Sequence, residues 1–293
     1  MGAFEQYRPL LFSIAYRMTG SAMDAEDIVQ EAYLRYQAVP REEIEMPKAY
    51  LTTIVTRLAL NQLSSARAQR ETYLGPWLPE PIISTNTAVP PDTARDPLRA
   101  AEDYDSISMA FMVLLENLTP AERAVFILRE VFEYPYDEIA AILDKSETAC
   151  RKLLSRAKSY VAANRPRFEA KEDEHLRLLE EFIASTADGD LEGLTSLLAE
   201  EATMWADGGG KARGAATRPV YGREAVARFL IGVSARFTPV DARVTVATVN
   251  GRPALVVRNG RNEPAFVVAI ETSGGKIQKI WAMANPDKLR GVA

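Results

Sequence analysis

The sequence predicts a multidomain protein in which two all-α domains precede a C-terminal α+β domain. Three observations support this prediction: amphipathic helical periodicity over residues 4–70, two short helices within 136–158, and alternating apolar residues beyond residue 240. A Pro-rich polar segment separates the helical parts and favours an extended connector. A chain of 293 residues can hold three domains. The expected boundaries are 1–70, 71–106 for the linker, 107–168 and 171–293.

The first domain is predicted to contain three helices. Residues 4–19 and 22–37 each carry an inward apolar stripe, and the second of these helices has an acidic outer face. A polar loop containing Pro40 and Pro47 follows, and a third helix begins near Lys48. Segment 48–70 contains no acid, and its basic residues are Lys48, Arg57, Arg67 and Arg70.

The second helical domain begins with a strong helix-start signal and contains a helix-turn-helix pattern. Thr119 can cap a helix and Glu122 can close the capping box. Residues 136–158 then predict two helices joined by Asp144-Lys145, with Ser146 as the cap of the second. The apolar residues of that second helix repeat at the spacing of one buried face, as Cys150, Leu153, Leu154 and Ala157.

The second helix of this pattern is predicted to bind DNA, because an α-helix with Arg and Lys on its outer face fits the major groove. An ordinary helical hairpin with a solvated basic face is the alternative. Segment 146–168 carries six basic residues against Glu147 alone, although the whole chain has a formal net charge of -5. The predicted DNA contacts are Ser146, Thr148, Arg151, Lys152, Ser155, Arg156 and Lys158.

The order of these motifs resembles the extracytoplasmic-function (group IV) RNA polymerase sigma factors. The resemblance rests on DAEDIVQEAYLRY, AYLTTIVTRLALNQLSSAR and the helix-turn-helix, and it covers about residues 4–165. It implies that the helix-turn-helix domain recognises the minus-thirty-five element. Asp144 stands where the family usually has Gly, and Asp tolerates the left-handed conformation better than most residues.

The same resemblance assigns roles to the first domain. It implies that core RNA polymerase is the partner, through its β′ clamp and β flap, and that promoter DNA is the target. The third helix and the loop before it would melt and read the minus-ten element through Tyr50, Arg57, Asn61 and Arg67. The acidic helix would dock on the β′ clamp through Asp24, Glu26, Asp27, Gln30 and Glu31.

The linker contains Trp77-Leu78-Pro79-Glu80-Pro81, an unusual sequence for a flexible connector. Trp77 either pins the linker to a neighbouring domain or forms part of a docking motif, and the sequence leaves both interpretations open.

The C-terminal part predicts helices at 175–187, 191–202 and 223–237, a strand at 202–207 and a later meander of strands. Asn250-Gly251 is a hairpin turn signal, and further strands are expected at 253–258, 264–271 and 276–284. This order resembles the SnoaL-like cystatin-like cone, an extension that modulates sigma activity within the same chain. The predicted regulatory residues are Trp77, Leu78, Pro79, Asp207, Gly208, Gly209, Gly210, Lys211, Asn285, Pro286 and Asp287, with Lys288 and Leu289 completing the last motif.

An enzyme or ligand-binding domain is the alternative for this region, which would make the protein a DNA-binding regulator fused to a small-molecule-binding or isomerase-like domain. Asp207 in an apolar cavity could act as a general base, although the three glycines after it favour a turn. We expect no catalysis, no cofactor, no metal and no membrane contact, and the absence of a signal peptide or apolar span predicts a cytoplasmic protein. The residues that could line such a cavity are Trp205, Asp207, Tyr221, Phe229, Phe266 and Trp281.

Overall fold

The computed structural model describes residues 3–70, 72–83, 107–164 and 171–292. Side chains at positions 3, 41, 66–70 and 292 are not described. The chain forms two compact units. The first contains most of the two helical domains, and the second contains the C-terminal domain together with Thr72–Asn86 from the predicted linker and Ser108–Ala110. In the predicted linker, residues 71 and 84–106 lie outside the described residues. Residues 165–168, at the end of the second predicted helical domain, lie outside them as well.

The first unit is helical throughout its described part. Its first domain contains α1 to α3, and its second domain contains α4 to α7, with a π-helical turn at Ile127–Val131 after α5. The bounds are α1 Ala3–Thr19, α2 Ala22–Gln37, α3 Pro47–Arg70, α4 Met109–Glu116, α5 Pro120–Phe126, α6 Tyr136–Leu143 and α7 Glu147–Asn164. A short 3-10 turn at Arg41–Glu43 precedes α3.

The helix starts and the helix-turn-helix form as the local sequence predicts. At α5, the Thr119 hydroxyl accepts the Glu122 amide, and the Glu122 carboxylate accepts the Thr119 amide at 3.1 Å. Between α6 and α7, Asp144 adopts the left-handed conformation with φ 51°. Ser146 caps α7, because its hydroxyl accepts the Ala149 amide at 3.2 Å. Cys150 is fully buried, and burial raises the pKa of its thiol.

The two helical domains contact each other within the first unit. The Thr52 and Tyr134 hydroxyls are 2.8 Å apart and buried. Arg57 of α3 donates to the carbonyl oxygens of Ile142 at 2.9 Å and Ala141 at 3.1 Å, at the end of α6. Carbonyl groups at the C-terminal end of a helix have no partner within that helix. Two such carbonyls of α6 therefore bind a side chain of α3.

The second unit is built on one six-stranded sheet with the strand order β2-β1-β6-β5-β4-β3. Strands β1 and β6 are parallel, and the other neighbours are antiparallel. The elements are α8 Glu172–Asp188, α9 Leu191–Leu197, β1 Leu198–Asp207, β2 Val220–Tyr221, α10 Arg223–Phe237, β3 Arg243–Val249, β4 Arg252–Arg258, β5 Pro264–Ser273 and β6 Lys276–Met283. A 3-10 turn, Arg290–Val292, follows.

One predicted helix in this unit is partly wrong. The pattern over 191–202 predicts a helix to its end, but α9 stops at Leu197 and β1 begins at Leu198. Leu198 lies opposite Ile277 of β6, and both side chains are buried. Pairing with a neighbouring strand therefore outweighs the local helical pattern, which cannot report a partner 79 positions away.

The helices α8, α9 and α10 pack on one face of the sheet. That face presents alternate residues of each strand, because successive side chains point to opposite sides. The shared core includes Leu178, Phe182, Met204, Ala206, Val226, Leu230, Val268, Ile270 and Ile280.

The prediction of an apolar cavity lined by six residues is also wrong. Phe229 and Phe266 pack against the helix-covered core, whereas Trp205, Asp207 and Trp281 alternate with core residues on β1 and β6 and so lie on the opposite face. Tyr221 is 68% exposed. The six residues therefore do not converge on one site, because the sequence does not say which strand residues share a face.

Candidate functional sites on the helix-turn-helix and on the linker

Helix α7 presents its charged side chains to solvent. Cys150, Leu154 and Ala157 are buried against the rest of the domain, which fixes the orientation of the helix. All seven residues predicted to contact DNA are exposed: Ser146, Thr148, Arg151, Lys152, Ser155, Arg156 and Lys158.

Some of these cations already have partners within the first unit. The guanidinium of Arg151 lies 4.0 Å from the centre of the Tyr136 ring and pairs with Glu147 at 3.2 Å. Lys158 pairs with Glu130 at 2.6 Å. Arg156 and Lys152 form no ion pair with another described residue, so their charges are fully available to a phosphate or base edge.

The predicted minus-ten residues are less uniformly exposed. Asn61 is exposed and Tyr50 is half-buried, while the side chain of Arg67 is outside the described atoms. Arg57 is exposed but donates to the end of α6, as described above. Two of the N–H donors of its guanidinium are therefore bound to α6.

The acidic face of α2 is largely open. Glu26, Asp27 and Gln30 are exposed, and Asp24 and Glu31 are half-buried. Several of these groups have local hydrogen-bond partners, which are Arg8 for Glu26, Gln62 for Asp24 and Arg35 for Glu31. Ser21 caps the helix through the Asp24 amide at 3.0 Å.

The second unit contains a buried ionic cluster, centred on Asp207, which we call the Asp207 cluster; it comprises Tyr73, Leu78, Asp207, Asn285 and Lys288. Asp207 is fully buried at the end of β1. One carboxylate oxygen accepts the Leu78 amide at 2.8 Å and the Lys288 ammonium at 2.8 Å. The other accepts the Tyr73 hydroxyl at 2.5 Å. The carboxylate is thus compensated by one cation and by several hydrogen bonds, as a buried charge requires.

Lys288, which pairs with this carboxylate, also contacts the linker directly. Its ammonium also donates to the Leu78 carbonyl at 2.5 Å and lies 3.8 Å from the centre of the Trp77 ring. The cation therefore combines an ion pair, a backbone hydrogen bond and a cation–π contact in a nearly buried position. Both main-chain groups of Leu78 are bound by the C-terminal domain.

Tyr73 and Asn285 complete the cluster. The amide of Asn285 donates to the Tyr73 hydroxyl at 2.8 Å. Burial, and then the hydrogen bond to the Asp207 carboxylate, raise the pKa of the Tyr73 hydroxyl, because both disfavour a phenolate there. Tyr73 therefore acts as a donor to Asp207 and an acceptor from Asn285.

The glycines after Asp207 are required by close packing. A Cβ on Gly209, whose φ is +58°, would lie 2.3 Å from the Asn285 amide nitrogen. A Cβ on Gly208 would lie 2.5 Å from the Cβ of Ala215. At the exposed rim, Lys211 forms an ion pair with Asp287, and this hydrogen bond lowers the pKa of the Asp287 carboxyl. The predicted turn is thus correct for the glycines. It is wrong for Asp207, which is the last residue of β1 and is buried.

The linker is attached to the same domain at a second point. The Asn250 amide donates to the Ile82 carbonyl at 2.8 Å, and the Asn250 side chain accepts the Ile82 amide at 3.0 Å. Ile83 forms a β-bridge with Val249. Residues 78–81 between the two attachments are buried.

Sequence reasoning identified Leu78, Asp207 and Asn285 of the Asp207 cluster, but it did not predict every residue that binds the linker. Trp77, Leu78, Pro79, Asp207 and Asn285 are buried or half-buried near these contacts, whereas Pro286 is exposed. Tyr73 and Asn250 were not predicted, and Lys288 was quoted only as part of a motif. Asn250 carried a turn signal, which it satisfies with φ +51°, but no signal for binding the linker.

The comparisons with known proteins match both helical domains. The Sigma-70 region 2 model matches residues 3–69, and the Sigma-70 region 4 model matches residues 108–160. The chain is 40% identical to the ECF RNA polymerase sigma factor SigJ of Mycobacterium tuberculosis, over 98% of this chain and 92% of that protein. This chain belongs to the extracytoplasmic-function family of RNA polymerase sigma factors.

Further comparisons cover nearly all of the given sequence. A crystal structure of M. tuberculosis SigJ matches with a TM-score of 0.74 and 38% identity, covering 98% of this chain and 97% of that one. The chain is also 30% identical to the probable ECF sigma factor SigI of M. tuberculosis, over 98% of this chain and 93% of that protein.

Family membership confirms the predicted function and fold class. The sigma factor binds core RNA polymerase and promoter DNA and directs transcription initiation. The two all-α domains followed by an α+β domain are confirmed by the structure. In the described part of the chain, no helix is both long and apolar enough to cross a membrane.

Proposed function

We propose that the C-terminal domain controls the activity of this sigma factor within the same chain, by binding the linker that joins its two DNA-binding domains. The observation that carries the proposal is the Asp207 cluster, in which both main-chain groups of Leu78 are bound by Asp207 and Lys288. Promoter recognition needs two DNA-contacting domains at a set separation. When the third domain binds the linker, the range of separations that the two DNA-contacting domains can adopt becomes smaller.

Linker binding adds several contacts to the buried ion pair of Asp207 and Lys288. Release of the linker would remove the Tyr73 and Leu78 hydrogen bonds to Asp207, together with the Leu78 carbonyl and the Trp77 ring that contact Lys288. The ion pair itself would remain, because both of its residues belong to the C-terminal domain.

The contacts of Arg57 suggest what the released state permits. In the structure, Arg57 binds the end of α6 in the helix-turn-helix domain. We infer that DNA and polymerase bind after the two helical domains separate, with Arg57 then facing the minus-ten element. The helices of the first domain would dock on the β′ clamp through α2, and the second domain would meet the β flap.

The residue roles within the DNA-binding domains are part of this proposal. Helix α7 would read the minus-thirty-five element through Arg151, Lys152 and Arg156, with Ser146, Thr148, Ser155 and Lys158 contacting the backbone. Tyr50 offers an aromatic surface for an unstacked base in the minus-ten element, and Asn61 and Arg67 are the other proposed contacts on α3. The support is the exposure of the α7 face and of Asn61.

In-vitro transcription with core polymerase over a promoter library identifies the responsive promoters and tests the proposal. Full-length protein should be compared on those promoters with Asp207→Asn and Lys288→Gln, each of which breaks the buried ion pair. Both substitutions should change transcription in the same direction and by similar factors, and deletion of 171–293 should share that direction.

The matched control is Arg177→Gln. Arg177 belongs to an exposed i,i+4 ion pair with Glu181 in the same domain, so the change also removes one cation but touches no linker contact. Polymerase binding should be unchanged in every variant. Equal transcription by full-length protein, Asp207→Asn, Lys288→Gln and the deletion would contradict regulation through the linker.

A further inference from the structure

The C-terminal domain contains a strongly basic stretch that the linker contacts do not use. Segment 208–262 carries ten basic residues and only two acids, Glu224 and Asp241, in a chain whose formal net charge is -5. The basic residues are Lys211, Arg213, Arg218, Arg223, Arg228, Arg236, Arg243, Arg252, Arg258 and Arg261.

Five of these arginines gather at one end of the domain. Arg243 of β3 lies directly opposite Arg258 of β4 in the strand register. Like charges in that position repel each other across the sheet. The Arg258 guanidinium also donates to the Asn262 carbonyl at 3.1 Å, which holds it against the β4–β5 turn.

Close backbone contacts bring the other three arginines to this end. A Cβ on Gly260 would lie 1.6 Å from the Asp241 carboxylate, so the turn that contains Arg261 packs against the segment leading into β3. A Cβ on Gly214 would lie 2.5 Å from the Phe237 ring. This contact places Arg213 beside the C-terminal end of α10, where Arg236 lies. We call Arg213, Arg236, Arg243, Arg258 and Arg261 the arginine surface.

Four of the five residues of the arginine surface are open to solvent. Arg213, Arg236, Arg243 and Arg261 are exposed, and none of them forms an ion pair with a described residue. Two carboxylates are nearby: Asp241, which packs against Gly260, and Glu263, which accepts a hydrogen bond from Asn259 at 2.9 Å. Phe237 and Val240, at 42% and 109% exposure, lie between these arginines in the sequence.

We propose that the arginine surface binds the phosphate backbone of promoter DNA in the initiation complex. The guanidinium group suits this role, because it forms paired hydrogen bonds to phosphate and is weakly hydrated. DNA is the polyanion that a sigma factor holds during its activity, so the positive surface meets a complementary charge there. This third DNA contact is independent of the linker cluster, and it would be independent of base sequence.

The salt dependence of DNA binding tests this proposal. Binding of the holoenzyme to a fluorescently labelled responsive promoter duplex should be measured over a range of salt concentrations for the Arg236→Gln/Arg243→Gln double variant. The log–log slope should become shallower by about 1–2, because each lost phosphate contact removes about 0.9. Affinity should fall by roughly tenfold on every responsive promoter, as expected for backbone contacts.

Two controls separate a DNA contact from a loss of fold or of general charge. Arg177→Gln/Arg228→Gln removes the same charge from the same domain, but each of these arginines has its own carboxylate partner, Glu181 and Glu224. That variant should keep the slope of the unaltered protein. Arg236→Lys/Arg243→Lys keeps the charge and should keep most of the slope. An unchanged slope in Arg236→Gln/Arg243→Gln, or an equal loss in the control, would overturn the proposal.

A crosslinking experiment identifies the partner directly. A photoreactive benzoylphenylalanine at Val240, which is fully exposed beside the arginine surface, should crosslink to promoter DNA in the initiation complex. Crosslinks to polymerase subunits alone would make the surface a protein contact and contradict DNA binding. Asp207→Asn leaves every residue of the arginine surface in place, so it should keep the salt slope of the unaltered protein whatever its effect on transcription. The two proposals can therefore fail separately.

Discussion

Helix α7 and the Asp207 cluster both depend on charged side chains, but they use them in opposite environments. Helix α7 exposes its cations and buries the apolar residues Cys150, Leu154, Ala157 and Val161. The Asp207 cluster buries its carboxylate completely and its ammonium almost completely. Exposed charges can bind an external partner at little cost to the fold. Buried charges are stable only with every internal partner in place.

This difference predicts how substitutions divide between stability and function. A change on α7 should affect DNA binding and leave the fold intact, because surface substitutions change stability by about 0.5 kcal/mol or less. A change in the Asp207 cluster should affect stability first, and transcription as a consequence. All three tryptophans, Trp77, Trp205 and Trp281, belong to the second unit. Intrinsic tryptophan fluorescence therefore reports on that unit alone.

The largest expected effect is at the buried carboxylate. Asp207→Ala should lower the free energy of unfolding of the second unit by about 3–5 kcal/mol, because Lys288 is left buried without its anion. Urea denaturation followed by tryptophan fluorescence measures this. The Asp207→Leu/Lys288→Met double variant removes both charges and should recover much of the loss. A double variant less stable than Asp207→Ala would contradict a mutually compensating pair.

The second prediction concerns the acidic face of α2. Reversing Asp27 and Glu31 to lysine should weaken binding to core polymerase at least tenfold, because the acidic charges that are proposed to make the contact are replaced by basic ones. Asp27 is exposed and Glu31 is half-buried with an exposed partner, Arg35, so circular dichroism should show an intact helical fold. Normal co-purification of the folded variant with polymerase would remove α2 as the dock.

A smaller effect is expected on α7. Arg156→Ala should weaken minus-thirty-five recognition by about 1–3 kcal/mol if the lost contact is bidentate to a base. Arg156 has no ion pair with a described residue, so neither unfolding nor polymerase binding should change. Arg151→Ala is a less clean test, since Arg151 also packs on Tyr136. Unaltered transcription by Arg156→Ala from every responsive promoter would exclude this base contact.

The smallest expected effect is a pH dependence in the second unit. His175 is buried, with its ring nitrogens 3.1 Å from the Thr272 hydroxyl and 2.9 Å from the Pro253 carbonyl. Burial lowers the pKa of its imidazole, because the charged form is desolvated. The unfolded chain therefore takes up a proton first as the pH falls, and stability is lost below about pH 6.5. His175→Gln should flatten the fluorescence-detected stability between pH 7 and pH 5.

Local signals were sufficient for the helical domains. The Thr119 capping box, the Asp144 turn and the Ser146 cap all follow from residues within a few positions of one another. Periodicity also identified the buried stripe of α7. These features depend on short-range hydrogen bonds and on one helical repeat, so the sequence alone contains the information.

The C-terminal domain was predicted less completely. The strands beyond residue 240 were predicted correctly to within a few residues, but β1 was expected to begin four residues later than it does. The proposed cavity was wrong because face assignment depends on which neighbours each strand pairs with. Asn250 was predicted as a turn residue, and its contact with Ile82 has no signal in the local sequence.

The sequence by itself determined the family, the order of the domains and the exposed charged face of α7, because each depends on motifs that are continuous along the chain. Only the tertiary structure decided that Tyr73, Asp207 and Lys288 form one cluster, since they lie on segments 134 and 81 positions apart. Only the tertiary structure likewise decided that Arg243 and Arg258 oppose each other at one end of the domain. The physical reason is that a buried charge or a like-charged pair is defined by its neighbours in space, and strand pairing brings those neighbours together from distant parts of the chain.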